Sequence, residues 1–121
     1  LTDADVCVLE NGYQDVEIDG CKVRIGGMYS YAFALDGDNS AENLTGDVRD
    51  FLEDFQNTDR YKIMLCHRPD SFVFGDASNY WNVDLVISGH DHGGQVVLPF
   101  LGGLYGGDQG WFPSYVHGIY Q

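Results

Sequence analysis

Residues 84–95 read Asp84-Leu85-Val86-Ile87-Ser88-Gly89-His90-Asp91-His92-Gly93-Gly94-Gln95. The run of aliphatic and β-branched residues at the start predicts a strand that is buried on both faces. Ser88 and Gly89 end that strand, and two histidines follow inside a glycine-rich turn. Because glycine permits a tight turn, the two imidazoles can point apart and serve two adjacent metal ions. We interpret this context as metal ligation, although an isolated His-x-His is more often structural.

A second apolar run ends in the same way, since residues 61–66 (Tyr-Lys-Ile-Met-Leu-Cys) lead directly into His67. If the two strands are neighbours, their carboxyl ends meet at the edge where open α/β sheets bind ligands. We therefore expect His67, His90 and His92 to converge on one crevice. Cys66 points to the opposite face of its strand from His67, so we assign it to the core.

Two motifs carry a family resemblance. Leu65-Cys66-His67-Arg68-Pro69-Asp70 and the Ser88–Gln95 motif resemble the last two signature motifs of the calcineurin-like metallophosphoesterases. The Gly-Gly-Gln version, followed by Leu98-Pro99-Phe100 and Gln109-Gly110-Trp111-Phe112-Pro113, resembles the bacterial branch related to membrane-associated and lipid-precursor phosphohydrolases. The resemblance covers most of the chain.

The resemblance implies a metal-dependent phosphoesterase with two divalent ions, either Mn, Fe or Zn. These would generate a hydroxide from water and hydrolyse a small phosphomonoester or phosphodiester without a covalent enzyme intermediate. Carried over by position, His67 and His90 would bind one ion and His92 the other. Arg68 would contact a phosphate oxygen of the substrate.

The family's amino-terminal metal motifs (an Asp-x-His pair, a bridging Asp and an Asn-His turn) have no match in this chain. We therefore interpret residues 1–121 as one partial metallophosphoesterase domain, the carboxyl-terminal half, cut at both ends and inactive alone. The implied fold is mixed α/β (α+β), half of a four-layer sandwich, with a strand-helix-strand unit carrying the histidine motifs. The alternative is a non-catalytic metal-binding or dimerising module, because exposed sheet surfaces favour a homodimer.

The composition limits the classes of partner and the compartment that we expect for the chain. The chain has 121 residues and a net charge of −13, from 19 acidic and 6 basic residues, which argues against nucleic acid and anionic membranes as partners. A phosphate substrate would need bound cations to reverse the local charge. Three cysteines without metal-ligand spacing fit free thiols in a reducing, cytoplasmic compartment. With no run of ~20 apolar residues and no leader, we expect no membrane span.

The remaining pattern predicts secondary structure. Alternation predicts further strands at residues 6–9, 16–18, 21–27, 96–98 and 115–120. Asp19-Gly20 predicts a hairpin turn, and residues 45–56 a helix with one apolar stripe and Thr45 as its cap. Pro69 can open a second helix within the 61–88 strand-helix-strand unit.

For three further features of the sequence we consider a structural role as well as a functional one. The acidic loop at residues 36–40 lacks the spacing of a calcium loop. The aromatic residues Trp111, Phe112 and Tyr115 either pack under a long loop or contact substrate at the mouth of the site. His117 has no partner at ligand spacing, so we interpret it as structural.

Overall fold

The computed structural model describes residues 4–29, 33, 43–73 and 75–121. In chain order the elements are β1 (Gly12–Ile18), β2 (Cys21–Met28), α1 (Gly46–Gln56), β3 (Tyr61–Cys66), α2 (Asp70–Val73), α3 (Ala77–Tyr80), β4 (Leu85–Ile87), β5 (Val97–Leu98), β6 (Gly102–Gly103), β7 (Tyr105–Gly106) and β8 (Gly110–Trp111). The acidic loop expected at residues 36–40 lies outside the described residues.

The main sheet has the order β1-β2-β3-β4. β1 and β2 are antiparallel, whereas β2, β3 and β4 are parallel to one another. A mixed sheet with few helices confirms the predicted mixed α/β class. The later strands form two small antiparallel pairs, β5 with β6 and β7 with β8.

The predicted hairpin is present between β1 and β2. Asp19 (φ 50°) and Gly20 (φ 81°) both adopt positive φ, which is the backbone of a type I′ turn. This turn matches the right-handed twist of the flanking strands and fixes their register, with Ile18 opposite Cys21. The Asp-Gly pair therefore fixes the pairing of β1 with β2 through a local turn.

Helix α1 covers one face of the sheet with the predicted stripe. Its buried residues are Val48, Phe51, Leu52 and Phe55. Thr45 occupies the N-cap position but makes no side-chain capping bond to the helix backbone. Instead, the Asp47 carboxylate accepts a hydrogen bond from the Thr45 side chain and from backbone N–H groups of the first turn, which lowers the pKa of Asp47.

Arg24 joins the sheet to the end of α1 from a buried position. Its guanidinium makes two hydrogen bonds to Asp15, at 2.7 and 3.0 Å, and donates to the Asp54 and Phe55 carbonyls in the last turn of α1. The same group stacks on the Tyr13 ring at 3.9 Å. Because α1 has no basic residue in its last turn, Arg24 supplies the positive charge that its carboxyl end favours.

The opposite side of the sheet is only partly covered by the described residues. We call it the open face, and its exposed large side chains are Ile18, Tyr61, Leu65, Leu85 and Ile87. The prediction that the β4 strand is buried on both faces is wrong, since Ile87 is 53% exposed. The physical reason is that β4 is the outermost strand and the chain described here places no second layer on that face.

The crossover from β3 to β4 runs through two short helices, α2 and α3, rather than one. The strands are parallel neighbours, as predicted, and Leu65 lies opposite Ile87. At their amino ends Lys62 and Asp84 form a clamp. The Lys62 backbone N–H donates to Asp84 Oδ2 at 2.7 Å, the Lys62 ammonium lies 3.0 Å from the same oxygen, and the Asp84 N–H donates to the Lys62 carbonyl.

Two predicted strands are absent from the described structure. Residues 6–9 form no strand, and Leu9 instead packs so closely on Gly27 that a Cβ there would lie 2.5 Å from the Leu9 carbonyl oxygen. Residues 115–120 also form no strand. The Tyr120 hydroxyl donates to the His117 carbonyl, and the Tyr115 and Tyr120 rings meet edge to face, so local contacts bend the segment.

The cysteines and the helices bear on two further expectations from the sequence. Cys66 is buried in the core, as predicted, whereas Cys7 and Cys21 are free and exposed. Within the described ranges, every helix is too short or too polar to cross a membrane.

The Lys62–Asp84 clamp predicts an asymmetry between its two truncations. Asp84→Ala leaves the Lys62 ammonium, whose side chain is 7% exposed, without its partner. We expect a loss of about 2–3 kcal/mol in the free energy of unfolding, below the full penalty for a fully buried pair because Asp84 is 34% exposed. Lys62→Met should cost about 1 kcal/mol or less, because water can still solvate Asp84. Urea denaturation followed by circular dichroism measures both, and equal losses would contradict the clamp.

The Arg24–Asp15 pair predicts how the stability of the fold depends on pH. The hydrogen bond from Arg24, opposed by burial and aided by the charges of Arg24 and Arg60, lowers the pKa of Asp15. A carboxyl group with a lowered folded-state pKa contributes stability that is present above its unfolded pKa of about 3.9 and is lost as pH falls through the folded value. Urea midpoints between pH 6 and pH 2.5 should therefore fall less steeply in Asp15→Asn than in the wild type.

Asp50→Asn is the matched control for Asp15→Asn. Asp50 lies on the outside of α1 with its side chain 77% exposed and its nearest guanidinium contact at 4.0 Å. Its pH dependence of stability should follow that of the wild type. If the urea midpoints of Asp15→Asn follow the same pH dependence as those of Asp50→Asn, Asp15 does not contribute to the loss of stability in acid.

Candidate metal centre

The parallel register of β3 and β4 delivers two histidines to one edge of the sheet. Beyond the last paired residues, the Gly89 N–H donates to the His67 carbonyl at 3.0 Å, so the pairing continues one step past the strands. His90 follows immediately. The two predicted ligands from separate motifs thus lie at the carboxyl ends of adjacent parallel strands, where ligand sites of open α/β sheets are found.

The His67 and His90 imidazoles are in contact. Nε2 of His67 lies 3.4 Å from Nδ1 of His90, and the ring planes meet at 78°. Two nitrogens that each bind one tetrahedral ion at about 2.0–2.1 Å lie about 3.3–3.4 Å apart. The spacing of this pair therefore fits two ligands of a single divalent ion.

His92 does not complete a triad with this pair. Its side chain is exposed. In the described part of the chain, no three His, Cys, Asp or Glu side chains form a group that could hold a metal ion. The expected convergence of all three histidines on one crevice is thus seen for two of them, and a complete ligand shell would need donors beyond those described.

The loop that carries both histidines has an unusual backbone. His90 (φ 73°) and His92 (φ 50°) are both left-handed. For a residue with a Cβ this conformation costs about 1–2 kcal/mol, and such strain concentrates at functional sites. Short backbone bonds hold the loop, with the Asp91 N–H donating to the Gly89 carbonyl at 3.0 Å and the Gly94 N–H to the Asp91 carbonyl at 2.7 Å.

The two glycines after His92 serve different purposes. Both have positive φ, 68° at Gly93 and 86° at Gly94. A Cβ on Gly93 would meet open space, whereas a Cβ on Gly94 would collide with the Cα of Gly103. The reverse contact is similar, since a Cβ on Gly103 would lie 2.9 Å from the Gly94 Cα. Gly94 therefore lets the histidine loop pack backbone to backbone on β6.

A cavity of about 460 Å³ opens beside His67. Its other walls come from the carboxyl ends of β2, β3 and β4 and from the segment before β1, and they are lined by Cys7, Leu9, Gly27, Met28, Leu65, Cys66, Ile87, Ser88 and Gly89. The wall is mainly apolar. Apart from the imidazole, this cavity offers little that could balance the charge of an anionic ligand.

The predicted phosphate contact Arg68 lies elsewhere. It is 6% exposed and does not line the cavity beside His67. Its carbonyl accepts a hydrogen bond from the Cys66 thiol at 3.2 Å. This burial favours a structural part for Arg68, and its contact with substrate stays a prediction.

The aromatic segment near the carboxyl end is on the surface. Trp111, Phe112 and Tyr115 are all exposed, and Trp111 meets Tyr105 edge to face across β7 and β8. The packing of these rings under a long loop is therefore incomplete in the described structure. Their contact with substrate stays a prediction.

Sequence reasoning missed two residues behind the histidine loop. Asp91 is 3% exposed, and its Oδ2 accepts a hydrogen bond from the Gln109 side chain at 2.6 Å. From the sequence, Asp91 was assigned no role. No sequence signal could have paired it with a neutral amide 18 positions away.

Two histidine rings in contact at the carboxyl ends of adjacent parallel strands are compatible with metal ligation, and comparison with known proteins shows which proteins the chain resembles. The chain is 30% identical over 122 aligned positions to the uncharacterized metallophosphoesterase YkuE of Bacillus subtilis, covering 100% of this chain and 37% of YkuE. It is 42% identical over 65 positions to the uncharacterized metallophosphoesterase Cj0846 of Campylobacter jejuni, covering 54% of this chain and 15% of that protein.

A third relative is eukaryotic. The putative metallophosphoesterase F40B5.2 of Caenorhabditis elegans is 30% identical over 103 positions, covering 84% of this chain and 20% of that protein. No family model and no solved structure matches the chain. The chain thus spans well under half the length of these relatives, and the similarity is to proteins named metallophosphoesterases.

The two loop glycines give a matched pair of variants. Gly93→Ala should cost about 1–2 kcal/mol, from its positive φ alone. Gly94→Ala should add about 1–3 kcal/mol of overpacking against β6. The His67–His90 ring contact, measured as a nuclear Overhauser effect between the imidazole protons, should persist in Gly93→Ala and weaken in Gly94→Ala. Equal behaviour of the two variants would rule out the packing role of Gly94.

Proposed function

We propose that the chain is the part of a metal-dependent phosphoesterase that presents the carboxyl-terminal histidine ligands. The single observation that carries this proposal is the 3.4 Å spacing of the His67 and His90 ring nitrogens, which suits one shared ion. The similarity to proteins named metallophosphoesterases gives the reaction class. The proposed reaction is hydrolysis of a small phosphomonoester or phosphodiester.

The proposed roles follow the positions of the side chains. His67 Nε2 and His90 Nδ1 would hold one divalent ion of the Mn, Fe or Zn type, and exposed His92 would contribute to a second ion. When bound, such ions polarise phosphoryl oxygens and activate water. Histidine binds a metal ion only in its neutral form. Arg68 is buried in this structure, and its proposed role remains contact with a phosphate oxygen of the substrate.

The exposed apolar residues of the open face bear on the architecture of the proposed enzyme. Ile18, Tyr61, Leu65, Leu85 and Ile87 leave apolar surface exposed on one side of a four-stranded sheet. Such a face is normally covered by a second layer. We propose that a further part of a longer polypeptide packs here, so that the described sheet is half of a sandwich. The reading as a non-catalytic dimerising module would instead place a second copy on the same face.

The proposed setting is the cytoplasm. Three free cysteines, two of them exposed, suit a reducing compartment better than an oxidising one. The net charge of −13 also makes nucleic acid an unfavourable partner.

Metal titration tests the proposal directly. Mn²⁺ or Zn²⁺ is added to the chain while the histidine ring resonances are recorded by NMR. We expect His67→Ala and His90→Ala to weaken binding at the shared site about 10-fold or more, because each removes one of two ligands. His92→Ala should leave that site intact. Hydrolysis of p-nitrophenyl phosphate and its bis-ester is then assayed in the full reading frame that contains the chain, where each histidine variant should lose activity.

His117→Ala is the matched control, because His117 lies in the bent carboxyl-terminal segment and contributes only its carbonyl to the Tyr120 hydroxyl bond. Metal binding in His67→Ala and His90→Ala that equals binding in His117→Ala would refute the site. Sedimentation of the chain decides the alternative, since a stable dimer without metal binding or hydrolysis in the full reading frame would favour the dimerising module.

A further inference from the structure

Asp91 is a buried carboxylate with incomplete hydrogen bonding. It is 3% exposed, and its Oδ1 atom has no hydrogen-bond partner among the described residues. Its Oδ2 atom accepts one bond, from the neutral amide of Gln109, at 2.6 Å. Burying a carboxylate costs several kcal/mol unless it is well paired. A buried carboxyl group whose one described partner is a neutral amide therefore needs an explanation other than stability.

Gln109 uses its whole side-chain amide at this contact. Its Nε2 donates to Asp91 Oδ2 and also to the Tyr115 carbonyl, at 2.8 Å. Its Oε1 accepts from the Tyr115 N–H at 3.1 Å. A single side chain thus ties the residue between the two loop histidines to the backbone of the aromatic carboxyl-terminal segment.

Two glycines lie next to this arrangement. A Cβ on Gly106 would lie 2.8 Å from Pro113 Cβ and one on Gly107 would lie 2.8 Å from His90 Nε2, whereas either would lie at an ordinary contact distance of 3.5 Å from Asp91 Oδ1. Gly106 has φ −120°, which any residue adopts, so its glycine is explained by space rather than by backbone conformation. Asp91 Oδ1 and the outer nitrogen of His90 thus border the same glycine backbone.

We propose that Asp91 and Gln109 form a positioning pair that holds the His90 imidazole against His67, an inference that rests on the proposed metal function. The peptide between His90 and Asp91 follows a left-handed residue. Local backbone bonds alone must otherwise keep that strained conformation. Anchoring the adjacent side chain to Gln109 fixes the loop from behind. Supporting hydrogen bonds of this kind typically change metal affinity about 10- to 100-fold when removed.

The experiment separates the hydrogen bond from the charge. Asp91→Ala and Gln109→Ala each remove the contact, and Asp91→Asn keeps an oxygen that accepts from Gln109. Co²⁺ affinity is followed by its visible absorption, and the His67–His90 ring contact by the nuclear Overhauser effect without metal. We expect both alanine variants to bind Co²⁺ about 10-fold or more weakly and to lose the ring contact. Asp91→Asn should stay within about 3-fold of the wild type, and the double alanine variant should be no worse than either single one.

Asp15→Asn controls for stability, because it weakens the distant Arg24 contact without touching the loop. Its Co²⁺ affinity at temperatures where it is folded should equal that of the wild type. Wild-type affinity in Asp91→Ala, additive effects in the double variant, or an equal loss in Asp91→Asn would each overturn the positioning pair. If the wild type itself binds no Co²⁺, the proposed metal function fails. The metal-free ring contact then still supports the pair if Asp91→Ala loses it, and overturns the pair if it persists.

Discussion

The relative register of β3 and β4 is the constraint on which the site depends. In a strand pair, a slip of one residue sends every side chain to the other face. Here a slip of β4 would turn Val86 away from the core and move Gly89 away from the His67 carbonyl that it bonds. The Lys62–Asp84 clamp opposes that slip at the amino ends, because one carboxylate oxygen satisfies both the backbone N–H and the ammonium of Lys62. Although burial would raise the pKa of Asp84, these bonds lower it, so the carboxylate stays charged at neutral pH.

Glycine backbone, rather than large side chains, shapes the surroundings of the histidines. Gly94 and Gly103 meet Cα to Cα, and Gly107 lies where any side chain would press on His90. Rotamer-rich side chains around a ligand can shift, whereas two backbones in direct contact cannot. The strained φ of His90 is compatible with this arrangement because the chain on both sides of it is fixed. Pre-organisation of this kind lowers the cost of ordering ligands when an ion binds.

The sequence predicted the elements whose signals are local. The Asp19-Gly20 turn, the stripe of α1 and the parallel pair β3 and β4 each follow from residue types a few positions apart. Prediction failed where the outcome depends on neighbours distant in the chain. Residues 115–120 alternate like a strand, yet local tyrosine contacts bend them. β4 is aliphatic like a doubly buried strand, yet its place at the edge of the sheet leaves Ile87 exposed.

The candidate site shows the same difference between local signals and contacts distant in the chain. Both histidines of the contacting pair were predicted, because each follows an apolar run that any reader of the sequence can see. Asp91 was assigned no role, and no charge or spacing rule connects it to its partner, a neutral glutamine. The role of Arg68 was assigned from its charge alone, and burial could be learned only from the fold. A sequence reveals which residues can bind a metal more readily than it reveals which residues hold the binders in place.

The charge of the chain bears on why a metal would be needed at all. With a net charge of −13, the protein repels a phosphate ester at long range. The residues that line the cavity beside His67 include no lysine or arginine, and Arg68 is buried apart from it. A divalent ion held by two neutral imidazoles would bring its full positive charge to the site, because imidazole ligands do not neutralise it. An ion at this pair thus suits the proposed phosphate substrate, since it would compensate charge as well as activate water.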